Sequence, residues 1–381
     1  MDTSRLLELL AHVVRDPQDC ASSLRAPEVL CTERVVDAAL AHEVAGSLSI
    51  AIESSGQVVP EVVARTVEHG RLVHLQTTRA LGTLAEAFAG SGTPWAVVKG
   101  PALARLWEKS SITRSYADLD LLVSRADLAK AAALVQACGF GPRNRNWRGF
   151  VDLGVAEIPF DDGAVVVDLH WNVVALTSLR RRVRFDTDQM LARSVVVDLS
   201  GVEVPVLDAV DALAHTCSHA GLAGARTLRL LHDAYLCASL VDPAQARIRL
   251  SEVGVHRLAT GVLARADRLF SQFGQGCESD WRPALGHPVW VGANRVVDGI
   301  WLRSPVARHV RLPGALVASG RDGLGATFAA AMGGAAAAIR ARLGMPTIES
   351  EDGPLDWNRV DPPDSRSGFE SYLDYVATGS D

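Results

Sequence analysis

Two aspartates separated by a single leucine, Asp118 and Asp120 in ADLDLLV, are the residues best suited to chemistry. Alternate side chains of a strand share a face, so both carboxylates point one way while Leu119 and Leu121 point into the opposite layer. Such a pair repels itself unless a proton or a cation intervenes, and oxygen ligands suit a hard divalent ion together with phosphate groups. A third carboxylate, Asp168 in GAVVVDLHW, interrupts a run that otherwise reads as a strand buried on both sides, where a charge needs a partner. If the two strands are neighbours, Asp118, Asp120 and Asp168 form a triad that can hold two metal ions. The paired aspartates would then bind both ions, and Asp168 would orient or deprotonate an attacking hydroxyl.

Other residues gather around this constellation. In VVKGPAL a strand ends at Lys99, Gly100 follows, and Pro101 begins a helix where its missing N–H costs nothing. A glycine there lets a phosphate approach exposed backbone donors, and Lys99 adds a point charge. His170 shares a face with Asp168 and could orient that carboxylate, contact substrate, or serve only as a satisfied structural histidine. Arg114, just before the aspartate strand, could reach a triphosphate or form a structural ion pair with Asp118. Arg229 and Asp233, one helical turn apart in RTLRLLHDAYLCA, could pair within their helix for about 0.2–0.5 kcal/mol.

The elements that must position these residues follow from periodicity. From Ser4 to Gly90 the apolar residues recur at helical spacing, most clearly in PEVVARTVEHGRLVHLQTTRALGTLAEAFAG. The pattern changes at Thr93: PWAVVKG reads as a strand, GPALARLWEKS as a helix, ADLDLLVS as a second strand, RADLAKAAALVQACGF as a helix closed by Gly139, and GAVVVDLHW as a third strand. SVVVDLSGVEVPVL reads as a hairpin turned at Ser200 and Gly201, and helical patterns then run to Leu343. The expected organisation is a helical N-terminal region over 1–90, an α/β core over 91–207, a helical C-terminal domain over 208–344, and an extended or partly disordered tail over 345–381, anchored by Trp357, Phe369, Tyr372 and Tyr375.

Strand, glycine-containing turn, helix, paired aspartates on the next strand and a later third aspartate together resemble the polymerase β-like nucleotidyltransferase superfamily. More narrowly, KGPAL, then Arg114 before DLDLLV, then GF after the next helix, then VDLHW, in that order between Leu72 and Ala238, resemble a largely uncharacterised family of bacterial nucleotidyltransferases. The resemblance implies an α+β fold, a small mixed sheet backed by helices with helical regions on either side. It implies catalysis at Asp118, Asp120 and Asp168 with magnesium or manganese, and nucleotide contacts from Lys99, Gly100, Arg114, His170, Arg229 and Asp233. The reaction implied is transfer of a nucleoside monophosphate from a nucleoside triphosphate to an acceptor, releasing pyrophosphate. The superfamily's usual Gly-Ser is replaced here by Gly100 and Pro101, which removes a hydroxyl contact to the terminal phosphate. A catalytically degenerate nucleotide sensor is therefore an alternative.

Composition narrows the partners. The 381 residues are 48% hydrophobic with a formal charge of −6, which argues against a protein that coats nucleic acid nonspecifically and favours a small-molecule or protein acceptor over RNA. An RNA-end transferase is the other alternative, supported only by Arg143, Arg145 and Arg148 around Trp147, a candidate for base stacking, and by Arg180, Arg181, Arg182 and Arg184. Six cysteines without CxxC spacing read as buried small hydrophobes in a reducing compartment. His215 and His219 have the spacing of a zinc pair but no third ligand or HExxH glutamate. The N-terminus lacks a signal-peptide pattern, and Leu324 to Ile339 is too short and too weakly apolar to span a bilayer, so it reads as a packed helix of small residues. A cytoplasmic location without membrane contact is expected.

Overall fold

A computed structural model describes residues 1–107, 114–144, 146–175, 177–180, 183–271 and 365–379. The expected helix from Leu324 to Ile339, together with Arg145, Arg181, Arg182, Cys277 and Trp357, lies outside the described residues.

The chain opens with α1 (Thr3–Arg15), α2 (Pro17–Ser23), α3 (Glu33–Ala41), α4 (Ala45–Ser54) and the long α5 (Glu61–Ser91). A mixed stretch follows: β1 (Trp95–Val97), α6 (Pro101–Ala104), β2 (Asp118–Val123), α7 (Leu128–Ala137), β3 (Gly141–Pro142), α8 (Trp147–Leu153), β4 (Glu157–Asp161) and β5 (Val166–His170). It continues through α9 (Thr177–Arg180), α10 (Thr187–Ala192), β6 (Val195–Leu199) and β7 (Val202–Val206). Helices α11 (Ala209–Leu222), α12 (Leu228–Ser239), α13 (Pro243–Val253) and α14 (His256–Phe270) come next, and α15 (Ser365–Thr378) lies near the C-terminus. This is a mixed α+β fold with helical N- and C-terminal regions, as the sequence implies.

Two compact units divide these elements: among the described residues, 1–74, 103–107, 114–116 and 209–271 form a helical unit, and 75–102, 117–144, 146–175, 177–180, 183–208 and 365–379 form a sheet unit. In the helical unit, α1 buries Leu6, Leu7, Leu10, Val13 and Val14, the one-sided spacing of an amphipathic helix. Its helix starts are capped locally. The carboxylate of Asp2 accepts from the Arg5 amide, and Asp242 accepts from the amides of Ala244 and Gln245, which satisfies donors a helix leaves open.

The sheet unit holds one seven-stranded sheet in the order β3-β4-β5-β2-β1-β7-β6. Strands β2 and β5 run parallel as direct neighbours, and β1 lies antiparallel to β2. The β6–β7 hairpin turns at Ser200 (φ 58°) and Gly201 (φ 91°), the pair of positive φ angles that a two-residue hairpin turn demands. Strand β4, absent from the sequence reading, pairs antiparallel with β5 and buries Ile158 and Phe160 while Glu157 and Asp161 alternate onto the other face.

Two expectations are revised. The helix read from Gly100 onward is a single turn, Pro101–Ala104; beyond it, Leu106 and Trp107 donate to the carbonyls three residues back, and the Trp107 indole turns to Asp233. The tail is not extended throughout, because α15 is a helix whose Phe369, Tyr372 and Val376 are buried in the core of the sheet unit against Trp147, Phe150 and Phe160. Each such aromatic removed from water contributes about 1.5–3 kcal/mol, enough to hold a segment that composition alone reads as loosely attached.

Candidate active site

The parallel register of β2 and β5 sets Asp120 directly opposite Asp168. Alternation then decides the rest. Leu119 and Leu121 on β2, and Val167 and Leu169 on β5, are wholly buried in the core, so the carboxylates occupy the face away from it. Antiparallel pairing with β4 places Glu157 opposite His170. On the other flank, the Val98 amide donates to the Asp120 carbonyl at 3.1 Å, which brings Lys99 alongside. Gly100, at φ 50°, takes a left-handed turn that a side chain would disfavour.

Asp120 is the hub. Its side chain is 1% exposed, and its Oδ1 accepts from Lys99 Nζ at 2.6 Å and lies 3.0 Å from His170 Nε2. Burial opposes its ionisation, but Lys99 and His170 outweigh that and hold the carboxyl far below the usual range. Lys99 is held charged by Asp120 against its own burial, with Asp118 and Glu157 adding to the effect. His170 is likewise raised by Asp120 and Glu157 although burial acts the other way, and its Nδ1 stands 3.5 Å from Glu157 Oε2. Asp168 behaves differently: burial raises it to about 7, with Asp120, Glu157 and Asp118 contributing and His170 partly offsetting them.

These residues suit a divalent cation. Four carboxylates (Asp118, Asp120, Glu157 and Asp168) act on one another or on Lys99 and His170. One ligand atom each from Asp120, Asp168 and His170 falls within a mutual 4.8 Å, the group of metal-binding type found among the described residues. Asp120 Oδ2 is buried without a hydrogen-bond partner, a costly condition that a cation would relieve.

Arg114, Arg229 and Asp233 are joined in ion pairs with one another and with Glu43. Arg114 and Asp233 belong to the helical unit, where Nε and Nη2 of Arg114 grip the two oxygens of Asp233 at 2.7 and 2.9 Å and the Trp107 indole donates to the same carboxylate at 2.9 Å. Arg229 pairs with Glu43 at 2.7 Å and approaches Asp233 only to 3.9 Å. The ion pair foreseen for Arg114 is thus with Asp233.

Of the arginine clusters, Arg180 is buried, donating to the carbonyls of Gly154, Val174 and Ala175 and stacking 4.3 Å over Trp171. Trp147 is 2% exposed and packs on Phe369, so it offers no face for a base. The rings of His215 and His219 are 6.4 Å apart, and the described residues bring no third ligand to them. The described cysteines are free thiols, with Cys20, Cys217 and Cys237 buried. No described helix is long and apolar enough to cross a membrane. Glu157 is the residue that sequence reading missed; its signal was the alternation of Glu157, Ile158, Pro159 and Phe160, obscured by the proline.

A mixed sheet that presents aspartates in register on adjacent parallel strands, with a lysine at the end of the next strand, has the organisation of a nucleotidyltransferase core. The chain matches the uncharacterised nucleotidyltransferase family over residues 31–271, and it belongs to that family. No curated protein matches it.

Proposed function

We propose that this protein transfers a nucleoside monophosphate from a nucleoside triphosphate to a small-molecule or protein acceptor, with Asp118, Asp120 and Asp168 as its catalytic carboxylates. The observation that carries the reading is the in-register pair Asp120 and Asp168 beside Lys99, with one buried carboxylate oxygen left without a partner. Asp118, Asp120 and Asp168 would hold magnesium or manganese, and the chemistry such an ion supplies when bound is neutralisation of phosphate charge and activation of the attacking oxygen.

The chain's own groups do the rest. Lys99, whose side chain is 21% exposed, meets a phosphate oxygen as a point charge, and the Gly100 turn lets the triphosphate approach backbone. Asp168, opposite Asp120 on the neighbouring strand, is placed to accept the proton of an acceptor hydroxyl. As that oxygen bonds to the α-phosphorus, the bond to the β-phosphate oxygen breaks and pyrophosphate leaves with the electron pair. In the absence of an ion, His170 and Asp120 share a hydrogen bond that fixes both side chains. Arg114, Arg229 and Asp233 are assigned to hold the helical unit together. Burial of Trp147 and Arg180 takes the stacking candidate and one arginine away from an RNA acceptor, while Arg143, Arg148 and Arg184 are exposed.

The test incubates the full chain with each α-labelled nucleoside triphosphate and magnesium or manganese. Small-molecule, protein and RNA fractions of a cell extract are offered in turn, beside an Asp118→Ala, Asp120→Ala variant. Label moving to one fraction, and lost in the variant, is expected. No transfer to any fraction, with nucleotide still bound by calorimetry, would replace the transferase by a sensor.

A further inference from the structure

We propose that His170 is itself a ligand of the cation held by Asp120 and Asp168, and that this nitrogen donor makes the site select a manganese-class ion over magnesium. The inference rests on the preceding reading only in placing a cation at this site.

Three features of the geometry carry it. First, the group that converges is mixed, two carboxylates and one imidazole within 4.8 Å of one another. Magnesium keeps to oxygen ligands, whereas the first-row transition ions, of which manganese is the weakest binder, accept an imidazole nitrogen more readily than magnesium does. Second, His170 Nε2 lies 3.0 Å from Asp120 Oδ1, which sets the ring beside the aspartate whose other oxygen, Oδ2, is buried without a partner. Third, a carboxylate lies near the other ring nitrogen: His170 Nδ1 is 3.5 Å from Glu157 Oε2, without a hydrogen bond to it or to any other described group, and the β4–β5 register sets Glu157 opposite His170. A histidine that binds metal commonly turns its second nitrogen to a carboxylate, which fixes the tautomer and raises the basicity of the ligating atom.

A histidine serving only to orient Asp120 needs one contact, the hydrogen bond to Oδ1. It gives no reason for a carboxylate behind its far nitrogen, nor for the buried, unpartnered Oδ2 on the hub it would be serving. Lys99 shares Oδ1 with His170 in the absence of an ion, so the aspartate's second oxygen is the one a cation would gain.

The experiment loads the full chain with one equivalent of manganese and records pulsed electron paramagnetic resonance, without nucleotide or acceptor. A nitrogen-14 coupling of directly bound imidazole is expected, lost in His170→Gln and kept in Glu157→Gln. Titration against magnesium should show manganese preferred by at least tenfold in the wild type and by much less in His170→Gln. Glu157→Gln should weaken manganese binding by about 10–100-fold. Manganese bound without nitrogen coupling, no manganese bound, or an unchanged preference in a folded His170→Gln would each overturn the proposal. If His170→Gln does not fold, the wild-type spectrum and Glu157→Gln decide alone. Failure here is separable from failure of the transferase reading: nitrogen-bound manganese without label transfer sinks only the latter, and label transfer without nitrogen coupling sinks only the former.

Discussion

Replacing Asp233 with alanine should destabilise the helical unit severely while leaving the nucleotide affinity of the remaining folded protein intact. Arg114 and Asp233 are 3% and 2% exposed, joined by two hydrogen bonds of 2.7 and 2.9 Å, with the Trp107 indole on the same carboxylate. Removing the carboxylate leaves a guanidinium buried without its counter-charge, a loss of about 3–5 kcal/mol. The orphaned indole N–H adds to that within its usual range of about 1–3 kcal/mol. Against a typical stability of about 5–15 kcal/mol this is a large fraction. At a urea dependence of about 2 kcal/mol per molar, a 4 kcal/mol loss moves the unfolding midpoint down by about 2 M. The same reasoning requires that Arg114→Met with Asp233→Leu recover most of the loss, since an apolar pair carries no desolvation cost, so a double-mutant cycle should be strongly non-additive. Urea melts followed by circular dichroism, with nucleotide titration of each variant, measure both quantities. A cost under about 1 kcal/mol for Asp233→Ala, or a fall in nucleotide affinity without loss of stability, would return Asp233 to the nucleotide and refute the structural assignment.

Four further outcomes follow from buried groups. Asp168 titrates near 7 in the folded chain against 3.8 ordinarily; between those values the folded state keeps a proton the unfolded state has released. Stability therefore falls as pH rises through that window, and Asp168→Asn should stabilise the metal-free protein at pH 8 by up to about 4 kcal/mol while abolishing transfer, as melts and the label assay would show. For the same reason cation affinity should weaken by up to about tenfold per pH unit below 7, with proton release visible in calorimetry. His232 is lowered from 6.5 to about 4 by burial, so its contribution is complete above 6.5 and is lost as pH falls toward 4. It amounts to about 3 kcal/mol, and a His232→Phe variant should lose that acid sensitivity in urea melts run across the window. Tyr372→Phe removes a hydroxyl that donates to the Val155 carbonyl at 2.6 Å and accepts from Trp171 Nε1 at 3.1 Å. The cost should be about 1–3 kcal/mol in thermal or urea unfolding, and a neutral result would detach α15 from the core.

Why the candidate carboxylates were legible in sequence while the residues around them were not has a physical basis. A strand's period of two assigns each residue a face from local pattern alone, so Asp118, Asp120 and Asp168 declared both their orientation and their cost: charges inside apolar strands require a partner. Glu157 follows the same rule, but its strand is five residues long and carries Pro159, which weakens the strand signal. Asp233 was visible as a residue with its helical neighbour Arg229, which does stand 3.9 Å from it, but its closer partner Arg114 was not, because nothing local encodes a partner 119 positions away. The α15 helix did carry a helical signature, Phe369, Tyr372 and Val376 at positions i, i+3 and i+7, yet composition rich in Pro, Asp, Ser and Gly outweighed so short a stripe. In each case the contact hidden from sequence reading is one that the fold, and not the local pattern, supplies. A reacting group must stand where its charge is expensive, and that expense shows in the local sequence. A supporting group is made inexpensive by its partner, and the partner is chosen by the fold.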